Sequence, residues 1–135
     1  MTIQFSTAVR NARLDAIETT ISTSAVLKIR TGAAPANVAT ADSGTVLATL
    51  TLPSDWMAAA SSGSKAQPGT WEDTSADASG TAAHFRVYAS DGTTAHIQGT
   101  VTATGGGGDM TVDNTSFASA QAFTITGFTL TDGNA

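Results

Sequence analysis

The sequence predicts an all-β protein, an antiparallel β-sandwich or jelly roll carrying one short N-terminal helix. Three observations predict it. Apolar residues recur with a period of two from Ala25 onward, the resulting six to eight short runs are separated by polar turn residues, and helical spacing is convincing only near the amino terminus. The natural division is an arm with an amphipathic helix over 1–24 and a sandwich domain over 25–135. Leu, Ile, Val and Phe number 24 of the 135 residues, so the core is thin and association with neighbours is a ready source of added stability.

The helix is "STAVRNARLDAIETTI". Ser6 or Thr7 can cap it, and Leu14, Ile17 and Ile21 recur at helical spacing. So short a helix is stable only when docked, and the β-branched and hydroxyl residues of "ETTISTS" resist its extension. Ahead of it, "TIQF" alternates weakly and reads as a short arm strand.

In "AVLKIR", Leu27 and Ile29 share one face and Lys28 and Arg30 the other. "GAAPANVATADSG" is a loop by composition, and "TVLATLTLP" puts Val46, Ala48, Leu50 and Leu52 on one side. Ser54 is placed to cap a single helical turn around Trp56 and Met57, followed by a flexible Ser/Gly/Pro connection. "TWEDTSADASG" reads as an acidic surface loop begun by a short strand at Trp71.

The clearest pair is "AHFRVYAS" and "TAHIQGTVTAT" around Asp91-Gly92. A two-residue turn would set Val87 against His96 and mismatch the faces. A three-residue loop pairs Val87 with Ile97 and Phe85 with Gly99, and this register is expected because a one-residue slip exposes a whole core face. It sets His96 near Tyr88 and His84 near Thr100, both histidines on exposed polar faces. "MTVDN" is a further short strand. In "QAFTITGFTLTD" the apolar phase switches at Gly127, as at a bulge or bend.

Charge narrows the partners. The net charge of −5 disfavours nucleic acid, which needs clustered Lys and Arg. Within the chain, residues 1–30 carry Arg10, Arg13, Lys28 and Arg30 against Asp15 and Glu18, and these four cations are the candidate partner-binding residues. There is no cysteine for disulfides or thiolate metal sites. No leader pattern and no run of membrane-spanning length appear, so a soluble product of the cytoplasm without a membrane partner is expected.

No catalytic or cofactor motif emerges, and a non-enzyme without cofactor or metal is expected. "TGGGGDM" leads to Asp109 and a β-patterned segment instead of a helix with Lys, so it reads as a mobile connection between strands and not as a phosphate cradle. Glu72, Asp73 and Asp77 lack the alternating ligands of a calcium loop. No pair among the eleven carboxylates is singled out for glycoside hydrolysis. Trp56, Trp71 and Tyr88 are the residues from which a sugar platform would be built, although core or interface use suits so few aromatics better.

Several segments together resemble the small head cement, or decoration, proteins of tailed bacteriophages of the jelly-roll type. They are "RNARLDAIETTI", "LKIRTGAAPAN", "GTVLATLTLPSDWMAAA", "FRVYASDGTTAHIQGTV" and "DMTVDNTSFASAQAFTITGFTLTDGNA". The resemblance implies a protein made in the bacterial cytoplasm and carried on the outer capsid surface of the virion. There it would bridge adjacent major capsid protein subunits against the internal pressure of DNA. Self-association is expected as a dimer, the commonest closed assembly, with a trimer as the alternative. Residues 2–21 are the expected anchor. The competing class is a carbohydrate-binding or adhesive β-sandwich of a phage tail.

Overall fold

The structure, a computed structural model, describes residues 3–133. One helix, α1 (Thr7–Ile21), lies beside ten strands. In chain order these are β1 (Val26–Arg30), β2 (Val46–Thr51), β3 (Ser64–Ala66), β4 (Trp71–Asp73), β5 (Gly80–Thr81), β6 (His84–Tyr88), β7 (Ala95–Ala103), β8 (Met110–Val112), β9 (Ser116–Phe117) and β10 (Phe123–Thr131). Eight of them form one mixed sheet in the order β2-β1-β6-β7-β8-β10-β3, with β4 also paired to β10; β5 and β9 form a separate two-stranded piece. The fold is thus β-rich with one short helix, as the pattern predicts.

Local chemistry sets the ends of α1. The Ser6 hydroxyl accepts from Val9 N–H, and the helix stops after Thr19, Thr20 and Ile21, where Ser22 turns to a φ of 74°. Only Leu14 and Ile21 of its apolar stripe are fully buried, with Ile17 partly so. Polar bonds to the sheet therefore do much of the holding. Ile3 to Ser6 adopt no regular structure, so the arm strand expected at "TIQF" does not form there; Thr2, Met1, Asn134 and Ala135 lie outside the described residues.

The hairpin of β6 and β7 reaches the expected pairing by another route. Ala89 N–H bonds Thr94 C=O across a four-residue loop, not three, and Asp91 caps the N–H groups of Thr93 and Thr94. Tyr88 then pairs with Ala95, and a bulge leaves His96 as the extra residue, so that Val87 still meets Ile97 and Phe85 meets Gly99. Face matching decides the register and the bulge absorbs the miscount. A Cβ on Gly99 would lie 2.7 Å from Phe85 Cε1, so the ring needs glycine beneath it. At Gly127 the expected phase switch appears as a register shift, with Ile125 and Phe128 both buried.

The sheet is not purely antiparallel, because β7 and β8 run parallel with Val101 beside Met110. Parallel neighbours usually need a crossover of a dozen residues or more; here the return is the glycine run. Gly105 and Gly107 have φ of 84° and 80°, and a Cβ on Gly106 or Gly108 would sit 2.8 Å from Thr102 atoms. The chain doubles back tightly along β7. Asp109 fastens it, its Oδ2 accepting from Thr100 N–H and Oγ1 at 2.8 and 2.9 Å, while Gly108 N–H bonds Thr102 Oγ1. These hydrogen bonds hold the Asp109 pKa below the usual carboxylate range. The run connects two strands, as its composition implies, and does so as a tight return held by Thr100 and Thr102.

Two further expectations change. No helical turn forms at Trp56 and Met57, which instead enter the core from irregular backbone, and the Ser/Gly/Pro connection contains β3. Aromatic rings chain the core together. Trp56 lies 6.4 Å from Trp71, Trp71 5.8 Å from Phe128, and Phe128 meets Phe85 edge-on at 5.4 Å.

Candidate interaction surface

All six cations are tied into the fold by named partners. Lys65, on β3, is buried, and its Nζ donates to Asp15 Oδ1 at 2.7 Å and Ala58 C=O at 2.9 Å and pairs with Glu18 Oε2 at 2.9 Å. Three donors meet three acceptors, which is what a buried ammonium requires. Burial pushes the Lys65 pKa down, but the bonds and charges of Asp15 and Glu18 outweigh it and hold it above the ordinary lysine value. Asp15 is lowered chiefly by Lys65 and then by the Ala60 N–H; Glu18 is lowered despite burial, by Lys65 and the Met57 N–H. With Asn11 accepting from Gly63 N–H, this cluster clamps α1 onto the turn before β3.

A second cluster lies under the loop of residues 31–45. Asp42 Oδ2 accepts from Arg30 at 2.7 Å, and its Oδ1 accepts from Arg86 at 2.8 Å and from the Tyr88 hydroxyl at 2.7 Å. Arg86 also reaches Asn37 C=O and Gln98, whose own amide bonds Pro35 C=O. Burial pushes the Asp42 pKa up, yet Tyr88, Arg86 and Arg30 hold it below the usual range; Tyr88 is raised by burial and by donating to Asp42. The loop is thereby pinned across β1 and β6, and every residue of β6 is buried.

The four sequence-predicted cations therefore separate. Arg30 is buried beneath the loop, occupied by Asp42 and Gly44 C=O. Lys28 bonds Gly92 C=O and lies 4.9 Å from the Tyr88 ring. Arg10 is half-buried with Nη1 on Asp132 C=O, and Arg13 is half exposed, pairing with Asp132 and lying over Phe5 at 5.1 Å. Arg10 and Arg13 share the root of the arm; Lys28 and Arg30 do not join them.

Other sequence readings resolve similarly. His96 is exposed as expected, whereas His84 is buried, its Nδ1 2.7 Å from Gly32 C=O, because the loop covers the face it occupies. Trp56, Trp71 and Tyr88 are all buried, so they form no exposed sugar platform. Glu72 and Asp77 are exposed, and no group of three metal-ligating side chains occurs among the described residues.

What α1 turns outward is a mixed face, apolar at Val9 and Ala16 and polar at Arg13 and Thr20, and of these only Arg13 is singled out by the sequence. Val9, Arg13, Ala16 and Thr20 line its exposed face at spacings of four, three and four, with Val9 43% exposed. Beside this line is a shallow hollow of about 350 Å³ whose floor is Ile17, Ile21 and Ile97, with His96 on its rim. Only the helical period together with the position of β7 brings these residues to one place. The hollow offers shape, apolar area and a cation, which suit docking of a surface. No protein-family model, no curated protein and no solved structure matches the chain.

Proposed function

We propose that the protein belongs to the class of non-catalytic β-domains that act by docking on a larger assembly. More particularly, it is a jelly-roll-type cement protein of a tailed-bacteriophage head, holding to the outer capsid surface and bridging neighbouring major capsid protein subunits. The segments quoted above support the family. The observation that carries the docking mode is the exposed line Val9, Arg13, Ala16 and Thr20 with its apolar hollow, set on a helix clamped to the sheet. A rigid mount keeps such a face ordered before binding, so little conformational entropy is lost on contact. Repeated copies on a lattice then add their moderate contacts through effective concentration.

The test uses heads of the encoding virus prepared without this protein. Wild-type protein should sediment with them to a saturable, stoichiometric level. The double variant Val9→Asp, Ala16→Glu, which alters only exposed positions, should bind about tenfold or more weakly, a loss of about 1.4 kcal/mol. Wild-type protein that stays in the supernatant at saturating supply refutes the function; equal binding by the variant refutes the docking face. Removal of residues 2–21 is a poorer test, because it also strips Asp15 and Glu18 from Lys65.

A further inference from the structure

The sheet ends in two edges that approach each other without pairing. At one end β2 is tied to the segment after β4, Leu47 C=O accepting from Asp77 N–H at 2.7 Å. Beyond that point the edges part around a cleft of about 420 Å³, lined by residues 49–53 and 70–74. The ladder fixes which groups face it. Leu52 N–H bonds Ala25 C=O, so at period two Leu50 turns its backbone toward β1 while Thr49 and Thr51 turn theirs to the cleft. Across the gap, Thr124 gives both backbone groups to Asp113, so Phe123 and Ile125 serve β4 and Glu72 faces outward. Leu50, Leu52 and Trp71 supply an apolar base, and Trp71 Nε1 is buried with no acceptor.

An extended segment of fitting pattern exists in the same chain. Ile3 and Phe5 alternate with Gln4 and Ser6, Ile3 is 77% exposed and Phe5 42%, and the Ser6 backbone is extended. We infer that the arm around Ile3 to Phe5 of one copy adds as a strand to the cleft between β2 and β4 of a second copy. Two reciprocal exchanges close a two-fold dimer.

Reach favours a second copy over the arm's own cleft. The β2 end of the cleft adjoins the C-terminal end of α1, where Trp56 Nε1 bonds Ser22 C=O. The arm leaves the opposite end of a 15-residue helix about 22 Å long. Residues 3–6 span at most about 14 Å. Charge agrees: Arg10 and Arg13 stand at the root of the arm, and Glu72 and Asp73 line the β4 side of the cleft.

Because the chain has no cysteine, engineered pairs report the contact cleanly. Gln4→Cys is combined with Thr49→Cys in one variant and with Thr51→Cys in another, covering two registers on one face of the added strand. On mild oxidation at least one pair should give a covalent species of twice the 13.5 kDa chain mass, while each single variant alone gives none. Light scattering should show the full chain as a dimer and a chain lacking residues 3–5 as a monomer. The inference is overturned by a monomeric full chain, by a dimer that survives the deletion, by failure to cross-link in both registers, or by a bond closing within one chain. These measurements use the isolated protein and stand apart from any test on heads.

Discussion

The two buried ion clusters are mirror images in charge. Around Lys65 one ammonium faces two carboxylates, and around Asp42 one carboxylate faces two guanidiniums. Each joins a segment distant in sequence to the sheet, α1 in the first case and the loop of residues 31–45 in the second. Their surplus charges differ in access to water. Asp15, in the first cluster, is 47% exposed, whereas the Arg30 and Arg86 side chains are only 8% and 2% exposed. Glu18 is 17% exposed, so removing Lys65 leaves one of its two carboxylates, Asp15, half in water, whereas removing Asp42 leaves both guanidiniums in the protein interior. Burial of the unpaired remainder, more than the number of ion pairs, decides how much each cluster stabilises.

The largest effect follows at Asp42. Asp42→Ala leaves two buried guanidiniums without a counter-charge and should cost about 3–5 kcal/mol in chemical denaturation, with loss of the loop's protection from proteolysis. Lys65→Met replaces the ammonium with an apolar chain of similar length, and Asp15 can turn toward water. About 2 kcal/mol is expected, read from the same unfolding curves. If Lys65→Met proves the costlier of the two, the comparison of exposed and buried remainders fails.

Acid sharpens the contrast. Asp15, Glu18 and Asp42 all have folded pKa values below their ordinary ones, so their stabilisation is complete above about pH 5 and is lost as pH falls through the lowered values. Lys65 is raised, so its share is complete below the ordinary lysine pKa and is lost only as pH rises through the higher folded value. Lys65→Met should flatten the acid limb of the stability curve, since two carboxylates lose the partner that lowers them; an unchanged limb contradicts the assignment. The smallest effect is expected for Asp15→Asn, because Lys65 keeps Glu18 and Ala58 C=O. Thermal melting checks it against Lys65→Met, which must unfold at the lower temperature.

Much of the fold was legible because it is written in periods. Helix capping at Ser6, the matching of Val87 with Ile97, the glycine under Phe85 and the switch at Gly127 all follow from spacing over a few residues. What escaped depends on partners far along the chain. Nothing local to "ATADSG" tells that Asp42 seals over Arg30 and Arg86, so the polar face of β6 reads as solvated when it is buried. The parallel return at Gly105–Gly108 has the composition of a slack loop, and only Thr100 and Thr102 behind it make it tight. The face proposed for docking was half legible. Arg13 stood out by charge, whereas Ala16 and Ile97 gain meaning only when α1 is laid beside β7.

The central claim is that the protein works as a bound structural component of a shell. Quantitative mass spectrometry of purified heads from the bacteriophage proposed to encode the protein tests it most directly, through copy number relative to the major capsid protein. A fixed, near-stoichiometric ratio that persists through repeated purification is the expected result. Heads that carry no copies, from cells in which the protein is abundant, would contradict it.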